Sequence, residues 1–287
     1  MFLIIVVSGC NNMPDEIVAC GGDQVVIIDG RSEGNGDADI LWRWKVSEAT
    51  DLPLPFHKYM IPTDECKPVN GNKEILITSS GGGVVLVDRE TKKTLFYAHV
   101  PMAHSAEILP GNKIIVALST DPGGNSIELF DLSQNDKVLF CDSLYSGHGV
   151  VWMSESEILF ALGYNELRKY ALRNWDSEIP ELELITTFRL PENGGHDLNK
   201  ISADELILTT TNSVWTFNIP EERFIEFELL AGVPNVKSIN YDNRTKRLIY
   251  TMGELSWWTH NIYQKNPDRT ISIPDINLYK VRIFAKD

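Results

Sequence analysis

The chain has 287 residues, 43% of them hydrophobic, with 26 Lys and Arg against 40 Asp and Glu and a formal net charge of −14. That length suits one large repeat fold or two ordinary domains, and there is ample apolar material for a core. An acidic balance without a basic cluster excludes binding of nucleic acid by phosphate neutralisation and docking on an anionic membrane surface; it mainly favours solubility.

In chain order, the first segment is Met1 to Cys10, MFLIIVVSGC. Seven apolar residues are too few to span a bilayer. They read instead as the end of a secretory signal, and Val7-Ser8-Gly9-Cys10 resembles a lipobox, although no Lys or Arg precedes the apolar run. This implies lipidation at Cys10, a polar tether from Asn11 to Asp15, and a location in the cell envelope, with the membrane reached only through the lipid anchor. Residues 1–15 are therefore signal remnant and tether, and residues 16–287 form the folded domain. The remaining cysteines, Cys20, Cys66 and Cys141, are odd in number and contain no CxxC pair. They are expected to be small apolar core residues.

From Glu16 onward a short strand with a charged start recurs. It reads Glu16-Ile17-Val18-Ala19, Glu74-Ile75-Leu76-Ile77, Lys113-Ile114-Ile115-Val116, Glu157-Ile158-Leu159-Phe160, Glu205-Leu206-Ile207-Leu208 and Arg247-Leu248-Ile249-Tyr250, at spacings of 58, 39, 44, 48 and 42 residues. A period near 40–45 residues is that of a four-stranded propeller blade. Each copy leads through a turn into a second strand: Val25 to Asp29, Val84 to Asp88, Ile127 to Asp131, Leu167 to Ala171, Val214 to Asn218, and Trp257 to Asn261. A third strand follows, as at Thr94 to His99. The chain starts on a second strand and ends with Leu278 to Phe284, which reads as a spare first strand. The expected fold is an all-β, six-bladed β-propeller. Its C-terminal innermost strand completes the N-terminal blade and so removes exposed sheet edges.

One repeat position carries unusual chemistry. His104, His148 and His196 each stand nine residues before the charged start of their copy. The other copies contribute Glu65, with Asp64 and Lys67 close by, then Lys237, and last Lys280 or Tyr279 near that position. Innermost strands line a propeller's channel, so six such residues converge on one mouth. A ring of Glu65, His104, His148, His196, Lys237 and Lys280 lowers the pKa of its own imidazoles and needs an anion, a metal or neutral rings to be stable. Other features are weaker. The acidic loop Asp29 to Asp39 does not match an EF-hand and reads as a solvated hairpin tip. Phe56, Tyr59, Tyr145, Trp152 and Tyr279 fall on or before inner strands, where packing between blades explains most of them. Trp257 and Trp258 are expected deeper in a blade.

The repeat, the lipobox-like start and the motifs AHSAEILP (103–110), GHGVVW (147–152) and GGHDLNK (194–200) together resemble an uncharacterised family of Bacteroidetes propeller lipoproteins. That resemblance implies fold and export rather than an activity. More distantly, histidines near a propeller axis are similar to those of oligogalacturonate lyase, where they hold a divalent metal beside an acidic sugar, but that enzyme has seven blades. Three functions follow as expectations, each for a monomer. The first is binding of a small anionic ligand such as a uronate or sulfated sugar through Lys237, Lys280 and the histidines, weakening as imidazole charge is lost. The second is an interaction scaffold with an inert channel. The third is a metal-dependent lyase or hydrolase on acidic glycans, with His104, His148 and His196 as ligands to a divalent cofactor and Lys237 or Glu65 as base.

Overall fold

The computed structural model describes residues 15–31 and 38–284. The expected lipidation site, Cys10, and the middle of the Asp29–Asp39 loop lie outside the described residues. The strand-forming runs are rich in Val, Ile and Leu on consecutive positions rather than alternating ones, which marks strands buried on both faces. Ile75, Leu76 and Ile77 are all fully buried.

The strands build six four-stranded antiparallel sheets. The first blade holds β1 (Glu16–Gly21), β2 (Gln24–Asp29) and β3 (Ile40–Lys45), and β24 (Leu278–Ile283) completes it from the far end of the chain. The second runs through β4 (Thr63–Val69), β5 (Glu74–Ser79), β6 (Gly83–Asp88) and β7 (Thr94–His99). The third comprises β8 (Ala103–Leu109), β9 (Lys113–Leu118), β10 (Ser126–Asp131) and β11 (Val138–Ser143). The fourth comprises β12 (Gly149–Met153), β13 (Ile158–Leu162), β14 (Glu166–Arg173) and β15 (Glu181–Arg189). The fifth has β16 (Asp197–Ser202), β17 (Glu205–Thr209), β18 (Val214–Asn218) and β19 (Arg223–Glu226), and the sixth β20 (Val236–Asp242), β21 (Arg247–Met252), β22 (Asn261–Lys265) and β23 (Arg269–Ser272). The innermost strands β24, β4, β8, β12, β16 and β20 each touch the next, and β20 returns to β24. The ring is closed: this is the six-bladed propeller expected from the repeat, sealed by its C-terminal strand.

The core is correspondingly divided into six apolar clusters, one in each gap between blades. Ile75 and Ile77 pack toward β1 and β2, whereas Leu76, on the opposite face of the same strand, packs against Ile114 and Val116. Burying an Ile or Leu in this way contributes about 1.5–3 kcal/mol each. The pairing of the first and last strands puts the sixth gap, around Ile17, Ile249 and Val281, on the same footing as the others.

Three details depart from the sequence reading. The third strand of the sixth blade is Asn261–Lys265, not Trp257 to Asn261; residues 253–260 are a loop closed by a bridge between Leu255 and Trp258. Ser256, at φ 66°, turns the chain there, and so the two tryptophans leave the blade. Cys20 and Cys66 are buried as expected, but Cys141 is exposed, because it lies on the outermost strand of its blade. The long first interval holds two 3-10 helices, Val46–Glu48 and Leu54–Met60, between the first two blades.

Candidate functional site

The site begins with an irregularity repeated around the axis. Pairing of β4 with β5 skips Asp64, that of β8 with β9 skips His104, and that of β20 with β21 skips Lys237. Likewise β24 pairs with β1 through Leu278 and Lys280, passing over Tyr279. His148 and His196 stand one residue before β12 and β16, their backbone N–H groups donating to Leu162 O and Thr209 O. A bulge leaves its extra residue out of the ladder and re-aims its side chain. The result is a ring of Asp64, His104, His148, His196, Lys237 and Tyr279, all six lining one cavity of about 620 Å³.

Of the six residues expected in the ring, His104, His148, His196 and Lys237 line the cavity, whereas at the other two positions the cavity is lined by the preceding residue, Asp64 or Tyr279. Glu65 and Lys280 lie one step deeper and are 0% exposed. With Asp197 and Arg282 they form a closed ion-pair plug across the channel. Arg282 grips Asp197 with both terminal nitrogens, at 2.9 and 2.7 Å, and Nη2 also reaches Glu65 Oε2 at 2.7 Å. Lys280 Nζ lies 3.1 Å from Asp197 Oδ1 and 3.4 Å from Glu65 Oε2, and donates to the backbone oxygens of His104 and His148. Burial pushes both carboxyls up, but Arg282 and Lys280 outweigh it and hold them below the usual carboxylate range. Two cations against two anions leave neither Glu65 nor Lys280 free for a ligand or for base chemistry.

In the ring the imidazoles are packed edge to face or tilted, with centroids 4.5 Å apart for His104 and His148 and 5.2 Å for His148 and His196. His104 Nδ1 donates to Met102 O and His148 Nδ1 to Ser146 O, both at 2.9 Å. A carbonyl oxygen only accepts, so the proton sits on Nδ1 and Nε2 keeps its lone pair. His196 differs: its Nε2 is 3.1 Å from Lys237 Nζ, and its Nδ1 is buried with no partner. Burial lowers the pKa of all three, that of His196 to about 3 with Lys237 as the next cause, and that of His148 with its two neighbours adding to the effect. Burial also pushes Asp64 up and Lys237 down to about 8. At neutral pH the ring thus holds three neutral imidazoles and one ammonium whose neighbours are His196 and the Trp257 ring, 4.8 Å from Nζ to centroid.

The loop at 253–260 supplies a wall that the sequence did not reveal. Trp257 and Trp258 line the cavity, as does Tyr164 from the fourth blade. Gly253 lets the loop come this close: a Cβ there would lie 3.0 Å from Lys237 Cε and 2.6 Å from Ser256 O. Of the aromatic residues flagged in the sequence, Tyr279 lines the cavity, whereas Phe56, Tyr59 and Trp152 pack between blades. The only sequence signal for the tryptophans was the eight-residue gap after β21.

Among the described residues no group of three or more His, Cys, Asp or Glu side chains is arranged to hold a metal ion. The reason is local: the third imidazole directs Nε2 at the Lys237 amine, and a cation drawn to all three rings would meet that ammonium. The set His104, His148 and His196 does not fit a metal centre of the kind expected. No helix among the described residues is long and apolar enough to cross a membrane. A search of curated proteins finds no match to the chain. Residues 17–287, from the first strand to the last residue, match the family of unknown function DUF6528, and the chain belongs to that family.

Proposed function

We propose that the protein is a binding propeller whose bulge ring takes a small polyhydroxylated ligand carrying one acid group, of the sugar-acid class. The observation that carries this reading is the combination, in one cavity of about 620 Å³, of an ammonium without a carboxylate partner, three neutral imidazoles and aromatic faces. The volume is that of a small-molecule site, which typically spans about 300–1,000 Å³. A carboxylate on the ligand supplies the missing counter-ion to Lys237 through a charge-assisted bond. The free Nε2 atoms of His104 and His148 accept from hydroxyls, and Trp257 offers an apolar face to a ring. Since burial keeps the imidazoles neutral, they do not govern the pH dependence of anion binding, contrary to the expectation from sequence; Lys237 does.

Titration calorimetry with galacturonate and with galactose tests this. Galacturonate is expected to bind more tightly than galactose, to lose about tenfold or more in affinity in Lys237→Met, and to weaken between pH 7 and pH 9.5. Absence of galacturonate binding at millimolar concentration, or an unchanged affinity in the variant, refutes it and leaves the docking scaffold. The lipid anchor and envelope location belong to the same proposal and rest on Val7-Ser8-Gly9-Cys10 alone. Incorporation of labelled palmitate that persists in Cys10→Ser overturns that part.

A further inference from the structure

We propose that Lys237 captures an aldehyde or ketone as an imine, with His196 moving the protons. This goes beyond non-covalent binding of an acid. Lys237 is a bulge residue, 1% exposed, at the wall of the cavity. Its neighbours are an imidazole and an indole face, neither of which neutralises an ammonium. Burying a charge without a counter-ion is costly, and the group gives up its proton more readily than an exposed lysine does. Surface lysines keep theirs at neutral pH and are poor nucleophiles; a lysine desolvated among apolar groups is activated.

His196 points the same way. If its Nε2 accepted from an ammonium, Nδ1 would carry a proton buried without an acceptor. With a neutral amine, Nε2–H donates to Nζ and Nδ1 is a bare lone pair. Orphaned buried N–H groups are the rarer of the two defects. The arrangement therefore eases loss of the ammonium proton, so that a minority of free amine stands ready at neutral pH with a proton carrier 3.1 Å away.

The step balances without an oxidant or a cofactor. The Nζ lone pair attacks the carbonyl carbon, a C–N bond forms, and the C=O π electrons move to oxygen. One nitrogen proton passes by way of His196 to that oxygen, giving a carbinolamine. The C–O bond then breaks, the oxygen leaves as water with the second nitrogen proton, and the nitrogen lone pair closes C=N. The carbonyl group is that of a small aldehyde or the open-chain form of a reducing sugar, which the hydroxyl-accepting ring atoms suit. Trp257, 54% exposed on its loop, is the side chain that covers the amine.

The test treats the whole protein at pH 7 with glycolaldehyde and cyanoborohydride, followed by peptide mapping. Lys237 is expected to be alkylated at least ~10-fold faster than the exposed Lys93, because a lowered pKa leaves far more free amine at that pH. His196→Gln is expected to slow Lys237 without affecting Lys93, and Trp257→Ala to accelerate it. Labelling of Lys237 no faster than Lys93, both in the native protein and in Trp257→Ala, overturns the proposal. Glycolaldehyde carries no charge, so a negative result here and a failure to bind galacturonate are separate outcomes.

Discussion

Two layers of the same six strands, one residue apart, behave in opposite ways. The outer layer holds Asp64, His104, His148, His196, Lys237 and Tyr279 around an open cavity, with a lysine that lacks a counter-ion and an imidazole nitrogen that lacks a partner. The inner layer holds Glu65, Asp197 and Lys280, joined by Arg282 from one step further in, and every charge there is matched. The bulge separates them. In four blades it turns one residue out of the ladder toward the mouth and leaves the next pointing at the axis; in the other two His148 and His196 precede their strands. The inner layer seals the channel and tethers the closing strand β24 to blades on two sides; the outer layer faces the cavity. His196 Nδ1, unlike the other buried atoms without a partner, belongs to a residue that lines the cavity and is placed to take part in its chemistry.

The largest break in this comparison comes from the plug. Arg282→Met leaves Glu65 and Asp197 facing each other with Lys280 alone, and removal of one partner from a buried ion network costs about 3–5 kcal/mol. Chemical denaturation of the variant is expected to show that loss; a change below about 1 kcal/mol would mean that the plug does not hold the ring closed. Acidification acts next, on the outer layer. The folded pKa values of His104, His148 and His196 lie below the ordinary value of 6.5, so on lowering pH the unfolded chain takes up protons first. Stability contributed by neutral imidazoles is full above pH 6.5 and falls below it by up to about 1.4 kcal/mol per pH unit for each histidine. Thermal melts between pH 6.5 and pH 5 should fall accordingly, and the triple His→Gln variant should flatten the slope; an equally steep slope in that variant assigns the acid sensitivity elsewhere. The smallest effect is expected for Lys237→Met, within about 1 kcal/mol of the native protein or more stable, since it removes a buried amine with no carboxylate partner. A loss comparable to that of Arg282→Met would make Lys237 a structural residue and erase the contrast between the layers.

Particular residues show why the fold was legible in the sequence and the site only partly so. Repeated runs such as Glu74-Ile75-Leu76-Ile77 carry their own evidence, because a strand buried on both faces must be continuously apolar and must recur once per blade. The nine-residue offset of His104, His148 and His196 survived because these copies have equal spacing to the next strand. Glu65 and Lys280 were mistaken for Asp64 and Tyr279 because side chains alternate with period two, and a slip of one residue exchanges the mouth for the plug. A bulge leaves no compositional trace. The pairs Asp64-Glu65, His104-Ser105, Lys237-Ser238 and Tyr279-Lys280 fall into line only once the skipped residue is known.

Six blades, their order and the closing role of the last strand follow from hydrophobic periodicity and repeat length, which are local properties of the chain. Which member of each pair faces the cavity, the seal formed by Arg282, and the position of Trp257 over Lys237 were decided only in the tertiary structure. Those features depend on strands 40 to more than 200 residues apart meeting at one axis, where a charge finds a partner or does not.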